Sequence, residues 1–154
     1  MSEHSTRPKN LRIPIRFCLT LKVYAGALQP NQVSRILGLD ATSAVSSEAM
    51  DEPMGAHDFR IGKVNGWFLE SEKRVESRNP RKHLEWFLWQ LEPLRNKLAD
   101  ILKRPDCKAC IDVIAWSEDG GLAYTLDPSD LACLASLGVP VCFSFADYPD
   151  NEKE

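Results

Sequence analysis

The chain has 154 residues, 44% hydrophobic and 27% charged, which is the composition of a folded globular domain and excludes a disordered one. Nineteen Lys and Arg stand against 22 Asp and Glu, a formal net charge of −3 that argues against nucleic-acid binding driven by overall basic charge. The sequence contains no apolar run long enough to span a bilayer, and its first ten residues are polar, so a cytoplasmic protein away from the membrane is expected.

In chain order, residues 1–12 read as a polar tail, 13–148 as a single domain and 149–154 as an acidic tail. From Ile13 to Tyr24 the pattern alternates, with Phe17, Leu19, Leu21 and Val23 facing one way and Arg16, Thr20 and Lys22 the other; this predicts a half-buried strand. Pro30 opens a short helix carrying Val33, Ile36 and Leu37, and Gly38 closes it. Residues 40–56 are small, polar and acidic without periodicity, and read as a long loop. Phe59, Ile61 and Val64, then Asn65-Gly66, then Trp67-Phe68-Leu69 predict a hairpin turning at Asn-Gly.

Asn79-Pro80 starts the longest helix, whose stripe of Leu84, Phe87, Leu88, Leu91, Leu94, Leu98, Ile101 and Leu102 is interrupted by Pro93, with a break expected near Glu92. Trp86 fits the packed side of this helix, whereas Trp89 stays open between core and surface. A strand follows at 109–116. Asp127-Pro128-Ser129-Asp130 has the cap, first-turn proline and acid of a helix start, Gly138 ends that helix, and Val139–Ala146 reads as an internal strand because it is apolar on both faces. The order predicts an α+β fold: a mixed β-sheet with helices packed on one face, built as a split β-α-β (ferredoxin-like) core extended by one helix and one strand.

The runs LTLKVYAGALQPNQVSRILGL, GWFLES, HLEWFLWQLEPLRNKLADIL and LASLGVPVCFSFADY together resemble the bacterial family called domain of unknown function 4279, over about residues 16–148. The resemblance rests on structural elements: the Leu-Gln-Pro helix start, the Gly-Trp pair and the Leu-Gly before the last strand. It implies a bacterial, cytosolic α+β protein and brings no catalytic residue with it.

Chemistry-bearing motifs are sparse. Five cysteines, an odd number, do not suit an extracellular disulfide framework. Cys107 and Cys110 form one CxxC, but it leads into a strand rather than opening a helix, and no second pair accompanies it as a zinc site needs. His57 and His83 read as exposed or capping residues, and Glu118-Asp119 as a solvated turn. Lys73, Arg74, Arg78, Arg81 and Lys82 crowd the start of the long helix and read as a solvated connection. No catalytic residue, cofactor or metal is assigned.

Charge distribution says more. Residues 1–105 carry 17 basic and 12 acidic side chains, a net of +5, and residues 106–154 carry 2 and 10, a net of −8. Acidic turns converging at one end of the sheet would attract a basic partner and repel nucleic acid. The leading expectation is therefore a non-enzymatic protein-binding module, an immunity or antitoxin protein neutralising a basic toxin through Asp119, Asp147 and Tyr148 with Trp116 nearby. Two alternatives stand beside it: a small enzyme or ligand sensor using the 40–56 loop as a lid, and a structural homo-oligomer pairing through the helix face around Trp89.

Overall fold

The computed structural model describes residues 14–47, 64–118 and 123–147. Its strands are β1 (Arg16–Tyr24), β2 (Ser43–Val45), β3 (Gly66–Glu70), β4 (Lys108–Ser117) and β5 (Val141–Asp147), and its helices are α1 (Pro30–Leu37), α2 (Pro80–Leu91), α3 (Arg95–Leu102) and α4 (Pro128–Ser136). The strands form one mixed sheet in the order β2-β3-β1-β4-β5. The pairs β2/β3, β3/β1 and β1/β4 are antiparallel, and β4/β5 is parallel.

The helices lie on one face. Phe17, Leu19, Leu21 and Val23 of β1, together with Ile111, Val113 and Ala115 of β4, bury against Val33 and Leu37 of α1, Leu84, Phe87 and Leu91 of α2, Leu98 and Ile101 of α3, and Leu134 of α4. Burial of these side chains, about 1.5–3 kcal/mol for each Val, Leu, Ile or Phe relative to exposure, is the main force holding sheet and helices together.

Local signals set the helix ends. Gly38 follows α1 at φ 70°, a left-handed conformation where a Cβ would be strained. Asn79 Oδ1 accepts from Arg81 N at the start of α2. Pro93 breaks the long helix: a 3-10 turn over Glu92–Leu94 separates α2 from α3, as expected of a residue with no amide hydrogen to donate. Trp86 packs partly buried on the core, and Trp89 is 72% exposed.

Four expectations need correction. Asn65-Gly66 is not a hairpin turn: Gly66 lies inside β3, opposite Tyr24 on one side and Val45 on the other. A Cβ at Gly66 would come 2.5 Å from the Phe68 ring, so glycine is needed for close packing and not for a turn. On the side away from β1, β3 pairs antiparallel with Ser43–Val45, which places the first part of the 40–56 segment in the sheet; residues 48–56, His57, Phe59 and Ile61 lie outside the described residues. Strand β1 is not half-buried in alternation: on the face away from the helices Cys18, Thr20 and Tyr24 are buried and only Arg16 and Lys22 are partly exposed, since as a central strand its side chains are flanked by those of β3 and β4. Strand β5 is not internal: it is an edge, with Phe143 50% and Phe145 57% exposed.

Candidate functional site

Strands β4 and β5 are parallel, with Trp116 opposite Ala146 and Ser117 opposite Asp147. The chain therefore leaves both strands at the same end of the sheet. Of the four residues singled out from sequence, Trp116 and Asp147 occupy adjacent rows of this ladder, with Asp147 described at the backbone; Asp119 and Tyr148 lie outside the described residues. Glu118, next after β4, is exposed.

Trp116 is half-buried on the sheet face away from the helices. The Arg16 guanidinium stacks over its ring at 5.0 Å from the centroid, a cation–π contact. Arg16 is itself held by Glu72, with Nε donating to one carboxylate oxygen at 2.8 Å and a second nitrogen to the other. That bidentate bond raises the Arg16 pKa and lowers that of Glu72, so both stay charged. The same face carries the Lys22–Asp112 ion pair, and Glu70 accepting from Thr42 Oγ1 at 3.1 Å and Ser43 Oγ at 2.8 Å. A shallow cleft of about 300 Å³ opens between Arg16, Thr20, Lys22, Phe68 and Glu70.

The helix-covered face holds polar groups that sequence reasoning missed. Ser71, fully buried in a 3-10 turn after β3, accepts the Leu19 amide at 2.9 Å and lies 2.7 Å from His83 Nδ1. His83 Nε2 meets the Ser77 carbonyl, which can only accept, so Nε2 carries a proton, and in the neutral ring the Ser71 hydroxyl donates to Nδ1. His83 is thus neither exposed nor a cap: it is 1% exposed, packed edge-on against Phe17. A serine and histidine at hydrogen-bond distance have the makings of a nucleophile–base pair, but here neither atom reaches solvent, and the pair instead satisfies a sheet amide.

The sequence places Arg81 in a solvated basic cluster, but the structure pairs it with acids of α2 and α4. It donates to buried Asp130 at 2.6 Å and to Glu85 at 3.1 Å, and lies 3.6 Å from Asp127. Asp130 also accepts the Asp127 amide at 2.9 Å, completing the cap of α4; the Arg81 bond, then the amide bond, hold its pKa below the usual carboxylate range. The Asp-Pro-Ser-Asp spacing announced the cap, but nothing local announced a partner 49 residues away.

None of the five cysteines is in a disulfide. Cys107 and Cys110 are both buried, and burial, followed by the Asp106 charge, pushes the Cys107 thiol up, opposite to what a reactive thiolate requires. Among the described residues no group of three or more His, Cys, Asp or Glu is arranged to hold a metal ion, and no helix is long and apolar enough to cross a membrane.

These features define a small α+β domain with a five-stranded mixed sheet, helices on one face and a polar opposite face. The chain belongs to the family described as Domain of unknown function (DUF4279), whose model matches residues 15–148. Neither the curated proteins nor the solved structures contain a match to it.

Proposed function

We propose that the protein is a non-enzymatic, cytoplasmic protein-binding module of the immunity or antitoxin kind, which neutralises a basic effector through the acidic end of its sheet. The observation that carries this reading is the parallel register of β4 and β5. With Ser117 opposite Asp147, two segments about 30 residues apart in sequence leave neighbouring strands, about 4.8 Å apart, at one end. The residues that follow are Glu118-Asp119 in one case and Tyr148-Pro149-Asp150 in the other. Acids contributed by two segments give a local negative potential that speeds encounter with a cationic surface, and Tyr148 and Trp116 supply aromatic area for contact.

The sealed Ser71–His83 pair and the raised Cys107 pKa support a binding role over a catalytic one. The first four strands are, in our reading, a split β-α-β (ferredoxin-like) core, supported by the order β2-β3-β1-β4 with antiparallel neighbours throughout; α4 and β5 then form an appended unit that carries the contact end.

The test is calorimetric titration of the full chain with basic proteins encoded beside its gene, at about 20 mM and about 0.5 M salt. A complex that weakens at least about tenfold at the higher salt, and that a Glu118→Lys/Asp119→Lys variant abolishes, is expected. Lack of binding at low salt by every such product, or a complex indifferent to this charge reversal, would refute the reading.

A further inference from the structure

We infer that β5 is a self-pairing strand, and that two copies of the chain join their β5 edges antiparallel about a two-fold axis at Ser144 to make one continuous sheet. Such a strand is a ready template, because the segment Val141–Ala146 contains no charge and no proline, the devices that usually blunt an exposed edge. The ladder to β4 fixes which backbone groups point outward. Ile111 N donates to the Pro140 carbonyl, and with Ile111 opposite Val141 this directs the amides and carbonyls of Cys142, Ser144 and Ala146 toward β4. Those of Val141, Phe143, Phe145 and Asp147 face the open edge.

A second copy fits that edge residue for residue. Around Ser144, Phe143 of one copy falls opposite Phe145 of the other, and Val141 opposite Asp147; these are the outward-facing positions that exchange amide–carbonyl bonds in an antiparallel pair. The sequence Phe-Ser-Phe is its own mirror about this axis, so both pairings are aromatic on aromatic. No acid faces an acid, since the one charged residue of the strand meets Val141.

The exposed rings lie on the correct side. Phe143 and Phe145 pair with Val113 and Ala115, whose side chains are in the core, so all four rings of the dimer extend the helix-covered core across the junction. In the single chain these two rings, 6.0 Å apart, leave an apolar cleft of about 330 Å³ open beside Tyr124 and Leu126. Covering four half-exposed phenylalanines removes roughly 400 Å² of aromatic surface, about a third of what a small specific interface buries, with the two strands and their flanks contributing the rest. Trp89, an isolated exposed side chain on α2, offers no comparable self-matching pattern.

Light scattering on the full chain from about 1 to about 200 μM measures the mass, and cross-linking reads the register. Ser144 meets its own copy at a non-hydrogen-bonded position, where Cα atoms lie about 4.5 Å apart and a disulfide is geometrically allowed. Ser144→Cys should therefore oxidise to a covalent dimer faster than Ser136→Cys, an exposed control on α4. Phe145→Lys, altering an exposed ring, should keep the native circular dichroism while raising the dimer dissociation constant at least about tenfold. A monomer mass throughout the range overturns the proposal, as does a dimer that Phe145→Lys leaves intact or Ser144→Cys cross-linking no faster than the control. The effector-binding experiment above is read independently, because Glu118 and Asp119 lie outside the paired strand.

Discussion

Replacing Ser71 by alanine removes one hydroxyl from the interior and strands two groups at once. The Leu19 amide loses its acceptor at 2.9 Å and His83 Nδ1 loses its donor at 2.7 Å, in a region where Leu19, Ser71 and His83 are each at most 1% exposed. Leaving a buried polar group unsatisfied costs about 1–3 kcal/mol, and the side chain itself loses almost no apolar contact, so a destabilisation of about 3 kcal/mol is expected. For a domain of this size that lowers Tm by about 6–12 °C. Urea unfolding followed by far-ultraviolet circular dichroism measures the change, with Ser136→Ala, an exposed serine, as the control expected within about 0.5 kcal/mol. Because the two side chains act as a unit, a double-mutant cycle of Ser71→Ala with His83→Leu should give a coupling of at least about 1 kcal/mol. A Ser71→Ala loss under about 1 kcal/mol at unchanged m, or additive behaviour in the cycle, would show that the hydrogen bonds do not carry the load assigned to them.

Tyr124 supplies a pH test. Its hydroxyl is buried without a partner among the described residues, and burial, followed by the Asp130 charge, pushes its pKa up to about 12. A phenol whose folded pKa lies above its unfolded value favours the fold below about pH 10 and loses that contribution as pH rises toward 12; spectroscopic titration near 295 nm should therefore show a late phenolate component that Tyr124→Phe removes. Asp130 has the opposite sign, its folded pKa lying below the usual value, so its contribution is present at neutral pH and lost on acidification. Asp130→Asn should lower Tm at pH 7 and flatten the wild-type fall in stability below about pH 4. Gly26 sits at φ 55° against the Asp106 carboxylate, which accepts the Ala27 amide at 3.1 Å; Gly26→Ala should cost about 1–3 kcal/mol by chemical denaturation. Trp89→Ala, at an exposed position, should change stability by less than about 0.5 kcal/mol, whereas Trp67→Ala, fully buried with Nε1 donating to Ser34 Oγ, should cost about 3–5 kcal/mol in the same assay.

What could be read from sequence was what local chemistry decides. The left-handed glycine after α1, the Asn79-Pro80 start, the Pro93 interruption and the α4 cap each involve residues within four of one another, and each stands where expected; β1 forms along its predicted run, but its second face is not the exposed one that the alternation announced. The failures share a cause: the deciding partner was distant. Asn65-Gly66 has the composition of a tight turn, yet Asn65 spends its side chain on the Gly26 carbonyl and the Ser47 amide, and Gly66 pairs in the sheet with Tyr24 and Val45. Val139–Ala146 has the composition of an internal strand, but the fold places it last in the sheet, so its phenylalanines emerge into solvent. His83 gave no warning of burial because its partners, Ser71 and Phe17, belong to the sheet layer and not to its own helix.

The charge asymmetry illustrates how a pattern visible in sequence changes meaning on folding. Read linearly, a basic first part and an acidic last part suggest an acidic surface facing a basic partner. In three dimensions part of that complementarity is consumed within the chain, as Lys22 pairs with Asp112 and Arg81 with Asp127 and Asp130. Asp106 is drawn to the Ala27 amide and the Arg104 guanidinium. These acids tie β4 and α4 to the rest of the fold, and a partner could recruit them only by breaking contacts that already hold them. Glu118 is different: it is exposed beside the parallel ends of β4 and β5, where extending charge costs the fold nothing. Salt dependence of binding should consequently scale with the few acids at that end and not with the −8 of the C-terminal segment, which separates recognition by a defined site from general attraction between oppositely charged proteins.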